Sequence, residues 1–255
     1  MSDTTVTAAL LIIGNEVLSG RTQDANLLHL ARVLNEAGVQ LREARVVPDV
    51  ETEIIAAMNA LRQRYDYLFT TGGIGPTHDD ITAEAVARAM GRPLMENPEA
   101  RRRLETHYRA AGLELTEARL RMARTPEDAI LIDNPISSAP GFQVENVFVL
   151  AGVPKIMQAM LDHIKSRLRG GQRVLSHTVS CNLGEGIIAA GLGEIQRRYP
   201  QVDIGSYPRF GASGSFRVAV VLRHTDTDLL TTAAHEVATL IQHLGGEVEQ
   251  ITVDA

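Results

Sequence analysis

Tryptophan is absent from the 255 residues, cysteine occurs once, and aromatic residues make up only 4%. The single cysteine, Cys181, excludes an intrachain disulfide framework and suits a reducing compartment. Scarce aromatics mean that any core must be built from aliphatic side chains. Basic charge is also short: 25 Lys and Arg stand against 31 Asp and Glu, a net charge of −6. Nucleic-acid binding needs a basic surface, so that class is excluded. The apolar run Ala8 to Ile13 near the N-terminus has no basic flank and falls far short of the roughly 20 residues of a membrane span. A cytoplasmic protein without a membrane partner is expected. What the chain does have is 44% apolar residues, enough for a buried core. Its length suits one large domain, or an ordinary domain with a small one.

The stretch AALLII (8–13) is continuously apolar, as a strand covered on both faces must be. Between Asp24 and Gly38, apolar residues recur at Leu27, Leu28, Ala31, Leu34 and Ala37, a helical spacing closed by glycine. A strand near 41–47, a helix over 51–64, a strand over 66–71 and a helix over 80–90 continue the alternation. This rhythm predicts a parallel, doubly wound α/β sheet. Residues 97–124 read as helical and charged. AILID (129–133), GFQVE (141–145) and VFVLAG (147–152) read as short strands with tight connections, and a helix over 154–168 closes the first domain. Gly170-Gly171 is the natural linker, giving domains 1–170 and 172–255. The second domain has a different order, strand 173–181, helix 185–198, strands 202–207 and 215–222, helix 228–244 and strand 247–253. That βαββαβ order is the ferredoxin-like, α+β arrangement.

Four turn motifs follow the strands of the first domain: GNE (14–16), VPD (47–49), GGIGP (72–76) and AGVP (151–154). Carboxyl ends of parallel strands share one edge, where open α/β sheets bind ligands. The loop TTGGIGPTHDD (70–80) combines anion-cradling glycines with two aspartates. It lacks the Gly-Lys-Ser/Thr ending of a Walker A loop and the third glycine of a dinucleotide fingerprint. Asp79 and Asp80 have two readings. Thr77 and Asp80 resemble a capping box, which would leave the acids as helix caps. Alternatively, Asp79 or Asp80 holds a divalent metal, Mg²⁺ by preference, that bridges to a phosphate cradled by Gly72, Gly73 and Gly75. Glu16 and Asp49, at the same edge, would then add oxygens around the metal. Such a site suits cleavage of a phosphoanhydride.

"TTGGIGPTHDDIT", with "GNEVLSGRTQDANL", "VVPD", "SSAPGF" and "AGVPKIM", resembles the molybdopterin-binding domain superfamily. Within it the chain is most similar to the N-terminal domain of competence/damage-inducible protein A (CinA) and to the molybdopterin-binding-like domain of FAD synthases. The motifs span residues 12–160, and "GLGEIQRRYPQVDIGSYP" is similar to the small domain that follows in both. The resemblance implies a three-layer α/β fold and a small-molecule ligand, either a nucleotide or a pterin phosphate such as molybdopterin. It also implies metal-dependent pyrophosphatase activity on ADP-ribose- or FAD-like dinucleotides, as in the CinA branch. By motif, Gly72, Gly73, Gly75, Thr77 and Asp80 match the ligand loop, Asp49 an acidic position of the molybdenum-insertion relatives, and Asp79 an extra acid of CinA-like members. Two departures stand out: serines replace the Gly-Thr of many CinA sequences at 137–138, and "LAGVPKIM" replaces Leu-Pro-Gly-Val-Pro. The resemblance includes neither a nicotinamide-mononucleotide deamidase domain nor an adenylyltransferase domain, so those activities are not expected.

Ser137 and Ser138 offer hydroxyls to a phosphate or ribose, or form an ordinary turn. Pro154 fits the first turn of a helix, whose N-terminus after Gly152 is a further anion site; Lys155 there either neutralises a phosphate or faces solvent. Between Arg101 and Arg124, seven arginines stand against three glutamates. They form either a solvated helical face or a mobile cover over substrate phosphates. His78 is a surface residue or an acid/base group of the loop. His177 and Cys181 form no recognisable metal set and read as structural. The second domain carries nine acids against six arginines, which argues against RNA binding and for a role in substrate gating or in assembly of a homo-oligomer.

Overall fold

The computed structural model describes residues 5–210 and 216–254. They divide into two compact units, Met1–Gly171 and Gln172–Ala255.

In the first unit, β1 (Val6–Ile13) is the second strand of a six-stranded sheet. It leads through the short α1 (Asn15–Leu18) and α2 (Asn26–Glu36) to β2 (Val39–Val47), then α3 (Glu51–Arg64) and β3 (Tyr67–Thr71). After α4 (Thr82–Met90) comes an excursion made of β4 (Leu94–Glu96), α5 (Pro98–Ala110), α6 (Glu117–Leu120) and β5 (Arg124–Pro126). The chain re-enters the sheet as β6 (Ile130–Ile132), β7 (Gly141–Val144) and β8 (Val147–Leu150), and α7 (Pro154–Ile164) ends the unit. Strand order is β2-β1-β3-β8-β7-β6.

The apolar run of β1 is explained by what covers it. Successive side chains alternate between faces. Val6, Ala8, Leu10 and Ile12 pack against Leu30 and Leu34 of α2 and Met157 and Leu161 of α7. Ala9, Leu11 and Ile13 pack against Ile54, Met58 and Leu61 of α3 and Ala85 and Val86 of α4. Phe69 and Phe148, both fully buried, stack with centroids 5.1 Å apart and join neighbouring strands. Such a pair adds about 0.5–1.5 kcal/mol beyond the area it buries.

The sheet is mixed, not wholly parallel. β2, β1, β3 and β8 run parallel, whereas β7 is antiparallel to both β8 and β6. The links between β6, β7 and β8 are too short for a crossover of a dozen or more residues, so they fold back as hairpins. The charged segment also differs from the expected helix over 97–124. Two helices are held in a bracket by the antiparallel pair β4–β5, with Ala100, Leu104 and Ala123 as a small core. Asn97 caps α5 by accepting from the N–H groups of Glu99 and Ala100.

The second unit contains β9 (Leu175–Cys181), α8 (Glu185–Arg198), β10 (Asp203–Phe210), β11 (Phe216–His224), α9 (Thr227–His243) and β12 (Val248–Asp254). Strand order β10-β11-β9-β12, antiparallel throughout, is the ferredoxin-like sheet. Val179, Val220 and Leu222 bury against Ile188 and Ile195 of α8 and Leu230, Val237 and Ile241 of α9. Gly191 lets the helices approach, since a Cβ there would lie 2.5 Å from the Leu240 side chain.

Candidate functional site

Because β1, β2, β3 and β8 are parallel, the four turns that follow them converge on one edge. Several of the contacts between those turns are made of backbone. Gly72 has φ +102°, and a Cβ on it would sit 2.1 Å from the Ile13 carbonyl oxygen. A Cβ on Gly152 would lie 3.2 Å from the Gly72 Cα. Glycine at 72 is therefore required twice over, by conformation and by space. Thr82 then pins the loop from behind: its hydroxyl donates to the Gly72 carbonyl at 2.9 Å and its N–H to that of Gly73 at 3.0 Å.

A cleft of about 520 Å³ opens at this edge. Its floor is Gly72 to Pro76; one wall carries Met122, Asn134, Ser137 and Ala139, and the other carries Ala151 to Pro154 and Ile156. Most of that lining is apolar. Two carboxylates, Glu16 and Asp80, line it as well, whereas the described lining residues include no Lys, Arg or His. Backbone donors share that lining. Among the described residues, the N–H groups of Gly73, Ile74 and Gly75 find no acceptor, nor do those of Gly152 and Val153 ahead of α7. No side chain caps the N-terminus of α7, whose dipole adds partial positive charge.

The residues expected from the sequence are distributed unevenly around this cleft. Gly72, Gly73, Gly75, Gly152, Ser137, Asp80 and Glu16 line it; Asp79, Asp49, Thr77 and Ser138 do not. Asp80 Oδ2 accepts from the Thr77 N–H at 2.8 Å and from the Thr77 hydroxyl at 2.5 Å. Thr77 thus braces Asp80 and does not itself line the cleft. Helix α4 begins only at Thr82 and carries no side-chain cap, so the aspartates close a loop turn instead of capping that helix. Asp79 is exposed, with His78 Nδ1 at 4.0 Å. Its carboxyl is held below the ordinary range, first by the Thr77 hydroxyl, then by its own N–H, with His78 and Arg121 adding attraction. Thr77 has one hydroxyl proton, so the two aspartates compete for it. Asp49 Oδ2 accepts from the Asn15 N–H at 2.8 Å, tying the turn after β1 to the end of β2. Ser138, at φ +59°, turns its hydroxyl to His107 Nδ1 at 3.3 Å.

The first three arginines of the segment are paired with nearby acids. Arg101 pairs with Glu96 and Glu105, Arg102 with Glu99, and Arg103 with Glu99 and Asp133. Arg121 reaches the glycine loop, donating to the Asp80 carbonyl at 3.4 Å with Glu84 at 3.8 Å. The solvated-face reading therefore describes Arg101 to Arg103, with Arg121 as a brace.

Comparison with known proteins follows the same boundaries as the two units. Residues 9–170 match the family described as a probable molybdopterin binding domain, and residues 173–245 match the FAD synthase middle domain. The chain belongs to the molybdopterin-binding family. A protein of Caldivirga maquilingensis is 41% identical over 64% of this chain and 65% of its own length. A CinA-like protein of Geobacter metallireducens is 35% identical over 94% of this chain, yet only 60% of its own length is covered. The crystal structure of the protein CinA, of unknown function, from Thermoplasma acidophilum is similar with a TM-score of 0.59 and 34% identity, covering 64% of this chain and 98% of that one. The similarity to CinA-like proteins thus extends over both units, and that to FAD synthases is carried by the second.

All the cleft residues fall inside the family match. Met122 and Asn134 line the cleft from outside the quoted motifs, while Thr22 and Ile156 line it, and buried Asn26 donates to the Gly152 carbonyl at 2.8 Å, from motif positions given no role of their own. Asn134-Pro135 was a legible turn signal, and Asn26 stands at the start of a legible helix. Among the described residues, no three His, Cys, Asp or Glu side chains gather as a ready-made metal cage. Hard oxygen donors from Glu16 and Asp80 nevertheless fit Mg²⁺, which is commonly held by one or two carboxylates together with water and substrate phosphates. No described helix is long and apolar enough to cross a membrane.

Proposed function

We propose that the cleft binds and hydrolyses a phosphoanhydride of the ADP-ribose or FAD type, with a divalent metal, Mg²⁺ by preference. One observation carries the proposal: a cleft rich in free backbone N–H groups presents two carboxylates and no cationic side chain. Amide donors attract a phosphate and carboxylates repel it. A cation held by Asp80 and Glu16 reconciles the two, and when bound it supplies charge neutralisation and a more acidic water.

The chain's own groups have separable tasks in this reading. Amides of Gly73 to Gly75 cradle one phosphate, and the N-terminus of α7 faces the other. The Thr77–Asp80 bonds hold the acid in place. Ile74, Met122, Val153 and Ile156 offer apolar surface to a base or flavin ring. A volume of about 520 Å³ lies within the roughly 300–1,000 Å³ of small-molecule sites.

The test is incubation of the protein with ADP-ribose, FAD and related dinucleotides in the presence of Mg²⁺ or Mn²⁺, with products separated by chromatography. Metal-dependent release of mononucleotide products is expected. Tight binding of a molybdopterin with no cleavage of any dinucleotide would overturn the hydrolase and favour the ligand in the family's description.

A further inference from the structure

Asn134 is only 6% exposed although it lines the cleft, and all four of its side-chain hydrogen-bonding positions are filled. Its Oδ1 accepts from the N–H groups of Ile136 and Ser137, at 3.0 and 3.2 Å. Two backbone donors on that atom fix it as the oxygen, so the other end is the NH₂ group. That group donates to the Ala139 carbonyl at 2.9 Å and to Ser137 Oγ at 2.6 Å. The NH₂ group cannot accept in return. Ser137 Oγ must therefore act as acceptor toward Asn134, which leaves the hydroxyl proton free. No acceptor within the described protein takes that proton, and Ser137 lines the cleft.

We infer that Asn134 is a positioning residue that commits Ser137 to donate its hydroxyl proton to an anionic oxygen of the ligand. The inference rests on the phosphate-binding reading above and gives that site a second wall. Acceptors, Glu16 and Asp80, belong to the metal side. Ser137 supplies a donor from the loop 134–139, which pairs most strongly with an anionic ligand oxygen. The terminal oxygens of a diphosphate have this chemistry.

Calorimetric titration of ADP-ribose with Mg²⁺ separates this role from a merely structural one. Ser137→Ala should weaken binding about 10- to 100-fold, the usual effect of losing a hydrogen bond to a charged group. Ser137→Thr, which keeps the donor, should restore most of it. Asn134→Asp keeps an oxygen for the two backbone N–H groups and converts the NH₂ end into an acceptor, so Ser137 turns its proton inward. That variant should weaken binding as Ser137→Ala does. On the Ser137→Ala background, Asn134→Asp should then cost little more. An equal loss on both backgrounds would mean simple charge repulsion and would overturn the inference, as would Ser137→Ala binding like wild type. Melting curves of each variant distinguish lost binding from lost folding: an Asn134→Asp protein that melts like wild type and binds normally also contradicts it. Failure of the wild-type protein to bind would overturn this inference and the hydrolase reading together. Wild-type cleavage with a fully active Ser137→Ala variant would overturn this one alone.

Discussion

Asp80 has two tasks that alanine would remove together and asparagine would separate. Its Oδ2 accepts both Thr77 donors, and its carboxylate lines the cleft. Asparagine keeps an acceptor for the turn and loses the charge. Asp80→Asn should therefore leave the unfolding free energy within about 1 kcal/mol of wild type. Metal-dependent turnover should fall about 10–100-fold or more, as when a group around a metal is altered. Assays of cleavage and thermal unfolding on the same preparation test this; normal turnover with earlier melting would assign Asp80 to the turn alone. The glycines and Asp80 were legible because their residue types are unusual at that spacing. The separation of Asp79 from Asp80 was not, since adjacency in sequence says nothing of which carboxylate a threonine will hold. Asn134 was hidden for a related reason: "NPISSAPG" reads as a turn, and only the closed ring of bonds around its amide distinguishes it.

Among the elements, long periodic segments were read to within a few residues. Helix α3 was expected over 51–64 and occupies Glu51–Arg64; the βαββαβ order of the second unit was read in full. Strands β4 and β5 were missed because three residues carry no period, and their pairing spans the 27 residues between Glu96 and Arg124. Strand β9 yields a prediction of its own. His177, 5% exposed, lies between Leu222 of β11 and Val253 of β12, and its Nε2 has no partner. Burial pushes its pKa below the ordinary 6.5, and His235 on α9 pushes the same way. The folded unit thus holds the neutral form, while the unfolded chain takes up a proton near pH 6.5. Stability from this group is full above that pH and is lost as the pH falls below it. Denaturant unfolding followed from pH 7.5 to 5 should show this loss, and His177→Leu should flatten it. Parallel curves for the two proteins would contradict the assignment.

For the whole molecule, a net charge of −6 and a cleft lined by acids pose one electrostatic problem for the proposed phosphate ligand, which the proposed cation would solve. Family membership accounts for the scaffold of both units, whereas the chemistry depends on particular groups at one sheet edge. If the carboxylates serve a metal, anionic ligand and cation must each strengthen the other's binding by the same factor. Calorimetric titration of ADP-ribose into the protein, once with Mg²⁺ and once with chelator, measures that factor directly. Affinity should rise with the metal by about 5- to 150-fold, the usual range of such couplings. Glu16→Gln combined with Asp80→Asn should abolish the difference. Equal wild-type affinity with metal and with chelator would contradict the account.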